Sequence, residues 1–317
     1  MKSCNAVFEG GGVRGIGHVG AVCGLEKAGY RIADTAGSSA GAMVAALLAA
    51  GYTGAELKEK LTVLDYMKFK GLDLPDHFGI LGKTVSLLIS LGIYDTDYLE
   101  RWMEKLLFAR DVKNFGDIWE KGKQLKITAS DLTEKRLLIL PDDLEAFGVN
   151  WKEFPVAKAV RMSVSIPVFF EPVRWRDRRG KEHLIVDGGL LSNYPVWIFD
   201  DRETVPERPT FGFRFTDEKE PARCPACPAQ SNIVDYLKAI ISTCLDAIDH
   251  SHVTEGDYER TIRISTTVGN GEERHKINAV DFGISREDSM ELFENGQRAA
   301  RQFLQSFHFQ NWKRQFW

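Results

Sequence analysis

The sequence predicts an α/β protein with a parallel sheet, and three observations predict it. Short apolar runs of strand length alternate with segments of helical periodicity along the 317 residues. The first run, Asn5-Ala6-Val7-Phe8, passes through Gly10-Gly11-Gly12-Val13-Arg14-Gly15 into a stretch where Ile16, Val19, Val22 and Leu25 recur at helical spacing. The second, Tyr30 to Ala36, runs through Gly37-Ser38-Ser39-Ala40-Gly41 into the apolar run Ala42 to Ala50. Two successive strand-to-helix turns place their tips side by side at the carboxyl edge of a parallel sheet.

The second turn has the G-x-S-x-G pattern of a nucleophile elbow. Small residues on either side of Ser39 let the backbone bend tightly enough to expose its hydroxyl above the sheet. Ser39 then sits at a helix N-terminus, where the dipole and unpaired N–H groups favour the negative charge of an acyl-transfer transition state. The helix behind it is apolar on every side, which predicts burial, and at about ten residues it is too short to span a membrane.

Two readings compete for the first turn. Gly10, Gly12 and Gly15 fit the G-x-G-x-x-G of a dinucleotide site, with Asp34 at the spacing of a ribose-binding acid. Alternatively, the glycines let backbone N–H groups crowd an oxygen that becomes negative, an oxyanion hole. The strand carrying Asp34 ends in the Ser39 turn rather than a ribose pocket, which favours the second. With one strand before the elbow, the common α/β-hydrolase order is excluded.

Further along, Thr53-Gly54-Ala55-Glu56 reads as a capping box opening a helix to about Leu64. Residues 68–95 change character: Gly71, Gly79, Gly82 and Gly92 surround Ile80, Leu81, Val85, Leu87, Leu88, Ile89 and Leu91, an apolar stretch nearly free of charge. They read as a core helix or as a lid or acyl-chain channel. Asp97 to Leu107 is an amphipathic helix. Gln124 to Ala129 and Arg136 to Leu140 are strands joined by a turn, and Val156 to Val164 is a helix that Pro167 ends. His183-Leu184-Ile185-Val186 is a strand delivering Asp187-Gly188-Gly189, either a plain turn or an acid aimed at a cleft. Thr210 to Phe215 is a strand, Asp217 to Gln230 a surface loop, Ile233 to Ile248 a helix and Arg260 to Ser265 a late strand. Ser285 to Asp288 caps a final long helix to about Phe307. The aromatic tail from Phe303 to Trp317, with Lys313 and Arg314, either packs that helix onto the body or touches a membrane interface. The alternation throughout is most simply one domain, residues 1–317.

Composition sets outer limits. A net charge of −4, with 44% hydrophobic and 27% charged residues, is ordinary for a globular protein and argues against a nucleic-acid partner. Neither a signal-peptide pattern nor a long apolar span is found, so a cytoplasmic protein is expected. Five cysteines do not suggest a disulfide framework, and Cys224-Pro225-Ala226-Cys227 lacks the further ligands of a zinc site. Neither an Asp-x-Asp-x-Asp-Gly loop nor a His/Cys cluster occurs, so no metal and no cofactor are expected. Of the seven histidines, His250, His252, His275 and His308 follow Asp187, but none has the setting of a triad base.

Taken together, Gly10-Gly11-Gly12-Val13-Arg14-Gly15, Gly37-Ser38-Ser39-Ala40-Gly41 and Asp187-Gly188-Gly189, in this order, resemble the motifs of the patatin-like phospholipase family. Ala159 to Phe170 and Asn193-Tyr194-Pro195 resemble family segments too, and the likeness spans roughly residues 5 to 215. The resemblance implies a three-layer α/β/α sandwich with a mostly parallel central sheet. It also implies a lipid acyl hydrolase working through a Ser–Asp dyad on phospholipid or lysophospholipid. By match, Ser39 is the nucleophile, Asp187 the base, and Gly11, Gly12, Val13 and Arg14 the oxyanion hole. The competing class is a non-catalytic nucleotide- or lipid-binding module that uses the glycine-rich loop without turnover.

Overall fold

Alternation along the first strand decides which layer each residue feeds. In β1 (Lys2–Phe8), Cys4, Ala6 and Phe8 enter the main core, while Val7 joins Ala36 and Ile198 in a smaller cluster across the sheet. That is the two-residue period of a strand buried on both faces. The structure, a computed structural model, describes residues 2–64, 92–94, 96–201, 203–216, 243, 253–271 and 274–317.

Eight strands form the main sheet: β1, β2 (Tyr30–Gly37), β4 (Leu125–Asp131), β5 (Arg136–Leu140), β7 (Val173–Arg176), β8 (Glu182–Asp187), β9 (Thr210–Thr216) and β10 (Thr261–Ser265). The order is β10-β9-β1-β2-β4-β8-β7, with β5 also on β4. Every neighbour from β10 to β4 is parallel, and β5, β7 and β8 are antiparallel additions. β3 (Gly92–Tyr94) pairs in parallel with β6 (Val168–Phe170), and β11 (Thr267–Val268) pairs with β12 (His275–Lys276), outside that sheet.

The strand β4 is the seam on which the site is built. Ile127 pairs with Gly37 and Leu140, and Ala129 pairs with Asp187 and Leu138. Because β5 runs unbroken along one edge of β4, β2 and β8 share the other. The first is parallel to β4 and the second antiparallel, so their carboxyl ends converge on Thr128. Two chain ends far apart in sequence, the approach to Ser39 and the side chain of Asp187, are thereby brought together by backbone pairing.

Helices α1 (Gly15–Lys27), α2 (Ala40–Ala50), α3 (Gly54–Thr62) and α9 (Arg286–Ser306) pack together on the main-core face. All eleven residues of α2 are buried, as its all-round apolar sequence predicts. The helices α1 and α9 approach to backbone contact: a Cβ on Gly20 would lie 1.9 Å from the Phe293 carbonyl oxygen. On the same side, α4 (Asp97–Phe108) packs on α6 (Val156–Val164), which also meets α2. Among the described residues, α7 (Gly189–Ser192) and the 3-10 turn Val196–Phe199 lie on the opposite face.

Local signals explain several helix starts. Thr53 and Glu56 form the expected capping box, Asn114 and Asp117 form another before α5 (Phe115–Glu120), and the Ser285 hydroxyl accepts from the Asp288 N–H. The β7 strand was not anticipated, although its Val173 and Trp175 are buried and its Arg174 and Arg176 exposed; four residues make a faint pattern. In the tail, Trp312 of α10 (Phe309–Phe316) is buried and donates to the Gly256 carbonyl at 2.8 Å, beside α8 (Glu255–Glu259). Packing therefore accounts for this part of the aromatic run. Of the apolar stretch 68–95, only residues 92–94 are described before the helix that follows, as β3. The loop 217–230 with Cys224 and Cys227, and the helix expected over 233–248, lie outside the described residues save position 243. Among the described residues no helix is long and apolar enough to cross a membrane, and no group of side chains could hold a metal ion.

Candidate active site

Ser39 stands between β2 and α2 with φ 51° and ψ −126°, a left-handed conformation that a residue with a side chain adopts only under constraint. Such backbone costs of order 1–3 kcal/mol. The constraint is visible at the two glycines of the motif. A Cβ on Gly37 would lie 2.4 Å from the Gly41 carbonyl carbon, and one on Gly41 would lie 2.4 Å from the Phe8 carbonyl oxygen. The turn is thus folded against itself and against the end of β1, and no larger residue fits at either place. The Ser39 N–H donates to the Ser163 hydroxyl at 2.9 Å, which ties the turn to α6.

Asp187 ends β8 and is buried, its Oδ2 accepting the Ser39 hydroxyl at 2.6 Å and its Oδ1 accepting the Gly189 N–H at 2.7 Å. Its own N–H donates to the Ser165 carbonyl at 3.0 Å, and the Gly188 N–H donates to the Ser163 carbonyl at 3.3 Å. The end of α6 therefore holds both partners. Burial pushes the Asp187 carboxyl up to about 7, with the Ser39 and Gly189 hydrogen bonds pulling the other way. A carboxyl at that value changes protonation at working pH, where an ordinary one stays ionised.

The glycine loop runs alongside. Gly10 exchanges hydrogen bonds with Asn193, its N–H donating to the Asn193 carbonyl at 3.0 Å. Gly12 has φ +54°, and its Cβ position falls 1.8 Å from the Ala279 carbonyl oxygen, so the loop is pressed onto the segment before α9. Of the four loop residues singled out from sequence, Val13 donates its N–H to the Ala279 carbonyl at 3.0 Å and Arg14 donates to the Gly11 carbonyl at 3.1 Å. The N–H groups of Gly11 and Gly12 have no acceptor among the described residues. Arg14 also sends its Nε to the Gly11 carbonyl at 3.2 Å and lies 4.9 Å from the centre of the Phe215 ring, a bracing position. Gly15 opens α1. Behind the loop, His18 Nε2 lies 2.8 Å from the Glu9 carbonyl, and burial pushes this imidazole down to about 3, so it is a neutral donor.

Gly12, Ser39 and Ala40 open onto a cavity of ≈ 40 Å³ whose walls include Met43, Leu99, Val164, Ile166, Phe170 and Phe282. A larger concavity, of ≈ 800 Å³ around Trp197, Arg260 and Trp312, has neither Ser39 nor Asp187 among its described lining residues. The site follows the reactive groups and not the size of the hollow. Asp34 is elsewhere: its carboxylate accepts the Gln124 N–H at 2.8 Å and fixes the start of β4. No described histidine bonds Ser39 or Asp187. His275 lies 3.5 Å from Asp288, and His308 precedes α10, while His250 and His252 fall outside the described residues. Ser163, Ala279 and Phe282 were not singled out from sequence as site residues. Ser163 lay in a segment already noticed, whereas Ala279 and Phe282 carry no local motif at all.

The fold points to a class, and comparison with known proteins shows the family. A family profile described as patatin-like phospholipase matches residues 6–200, and the chain belongs to that family. It is 36% identical over 311 residues to the Bacillus subtilis protein YqhO, itself uncharacterized, covering 96% of this chain and 99% of that one. It is 28% identical over 203 residues to an intracellular phospholipase A2 of Caenorhabditis elegans, 60% of this chain but 16% of that protein. Among solved structures, VipD from Legionella pneumophila superimposes with a TM-score of 0.55 at 20% identity over 96% of this chain and 67% of that one, a likeness of fold.

Proposed function

We propose that this protein hydrolyses the carboxylic ester of a phospholipid or lysophospholipid through an acyl-enzyme on Ser39, with Asp187 as the base. The observation that carries the proposal is the 2.6 Å hydrogen bond between these two side chains at the meeting point of β2 and β8, in a buried site. Family membership supplies the substrate class.

In the first step the Ser39 Oγ attacks the ester carbonyl while its proton passes to Asp187 Oδ2. Burial makes this transfer feasible, because a carboxyl near 7 is a far better base for a hydroxyl than one near 4. The carbonyl oxygen takes up the negative charge beside the N–H groups of Gly11 and Gly12 and the first N–H of α2, at Ala40. Collapse of the tetrahedral adduct breaks the ester C–O bond, and the Asp187 proton goes to the departing alkoxide. Water then gives its proton to Asp187 and its oxygen to the acyl carbon, releasing the fatty acid and returning the proton to Ser39. The cycle as written uses no cofactor.

The whole chain acts as one domain in this reading, since β10 completes the sheet and Ala279 and Phe282, beyond the matched span, border the site. We place the enzyme in the cytoplasm, meeting lipid at a membrane surface. A nucleotide-binding module is disfavoured by Asp34, which is spent on β4.

Incubating mixed phospholipid, lysophospholipid and acylglycerol with wild type, Ser39→Ala and Asp187→Asn and analysing products by mass spectrometry tests the proposal. Free fatty acid from the wild type alone is expected. Equal release by a folded Ser39→Ala protein would overturn it.

A further inference from the structure

The segment between β12 and α9 lies beyond the matched residues 6–200, yet it touches the site in two places. The Ala279 carbonyl accepts the Val13 N–H and bears on Gly12. Three residues on, Phe282 forms part of the wall of the cavity next to Ser39, its ring 6.1 Å from that of Phe170 and 6.3 Å from that of Phe169, both at edge-to-face angles. These aromatic contacts form one side of the hollow that Met43, Leu99 and Val164 line from the other elements.

The segment is held firmly. Ile277 is buried and donates its N–H to the Thr266 carbonyl at 3.1 Å. The Asn278 N–H donates to the Asp281 carboxylate at 2.6 Å, and the Phe282 and Ile284 N–H groups close tight turns onto Val280 and Asp281. Ser285 then caps α9. A turn pinned at both ends and bonded within itself carries Phe282, whose ring is seated against those of Phe169 and Phe170.

The space it leaves is small. A cavity of about 150 Å³ lined by apolar side chains holds a benzene ring, whereas the hollow beside Ser39 measures ≈ 40 Å³. Among the described residues its walls are apolar apart from Thr96, the Ser39 hydroxyl and the Gly12 backbone, so it suits the hydrocarbon of an acyl group rather than a charged head group. We propose that Phe282, seated against Phe169 and Phe170, sets the acyl-chain preference of this enzyme by limiting the room beside Ser39, so that short acyl groups are favoured over long ones. The inference rests on the hydrolase reading above and adds to it the class of acyl group accepted. Each methylene that a hydrophobic pocket gains or loses changes discrimination about tenfold or more.

The test compares kcat/KM for p-nitrophenyl butyrate and p-nitrophenyl octanoate in wild type, Phe282→Ala, Phe282→Leu and Phe282→Trp. Modification of Ser39 by a small fluorophosphonate is followed alongside. Phe282→Ala is expected to raise the octanoate-to-butyrate ratio about tenfold or more, Phe282→Leu to raise it less, and Phe282→Trp to lower it, with Ser39 modification serving to count folded, competent sites. An unchanged ratio in folded Phe282→Ala and Phe282→Leu proteins, from a wild type that hydrolyses butyrate through Ser39, overturns the inference and leaves the hydrolase reading standing. A wild type that hydrolyses neither ester and leaves Ser39 unmodified overturns both.

Discussion

Two buried aspartates stand on facing strands, and they have been given opposite surroundings. Asp131, at the end of β4, has three partners: its Oδ1 accepts the N–H groups of Thr133 and Glu134 at 2.9 and 3.2 Å, and its Oδ2 faces His183 Nδ1 at 2.8 Å. Asp187, at the end of β8, has a hydroxyl and one N–H. The first arrangement holds a turn and anchors the start of β8. The second leaves a carboxyl near 7 against a strained serine. An Asp–His pair, which elsewhere activates a serine, thus joins β4 to β8 with its histidine four residues before Asp187 and serves as structure, while the pair we propose for the chemistry contains no histidine. Residue type alone does not tell a base from a brace. The set of partners does.

Substitutions at the two aspartates sharpen this contrast. Ser39→Ala and Asp187→Asn should each lower kcat/KM for ester hydrolysis by about 10⁴-fold. Asp131→Asn and His183→Ala should leave the rate of the folded protein within a few-fold, measured side by side on p-nitrophenyl butyrate.

The next largest effect is on stability. The folded carboxyl of Asp187 is raised to about 7 from an ordinary value of 3.8, so burial favours its neutral form. Its contribution is fully present below the unfolded value and is lost as pH rises through 7. Asparagine cannot ionise, so the stability advantage of Asp187→Asn over wild type should grow between pH 4 and pH 9 by about 4 kcal/mol, at 1.36 kcal/mol per unit of pKa. Urea denaturation at the two ends of that range measures it. A constant difference would mean that the carboxyl is not desolvated.

His183→Ala leaves Asp131 buried without its ring partner and should cost about 3 kcal/mol by the same denaturation assay. The smallest expected effect is at Ser163. Removing its hydroxyl leaves the Ser39 N–H without an acceptor, at a cost of about 1–2 kcal/mol and up to a tenfold loss of rate.

Much of this molecule was legible because its signals are local. The two turns, the strand that carries Asp187, the capping box at Thr53 and the burial of α2 each depend on a few adjacent residues, and the sequence periods point to them directly. The convergence of β2 and β8 was not legible. It depends on which edge of β4 each strand takes, which is a fact of pairing at long range. The close contact of α1 with α9 was missed for a related reason. The spacing of Ile16, Val19, Val22 and Leu25 marks a helix but names no partner, whereas Gly17, Gly20 and Gly24, whose lack of side chains lets the second helix in, have no apolar period of their own. At the site, Ala279 and Phe282 had no motif to announce them, because a carbonyl that supports a loop can come from any residue and a wall from any large apolar one.

The account turns on Asp187, and not a histidine, activating Ser39. Its most direct test is the rate at which a fluorophosphonate modifies Ser39, followed by intact-protein mass spectrometry across pH in wild type, Asp187→Asn and His183→Ala. The account predicts a single rise with a midpoint near the Asp187 value of about 7, kept in His183→Ala and abolished in Asp187→Asn. Modification that persists undiminished in Asp187→Asn, or disappears in a folded His183→Ala protein, would contradict it.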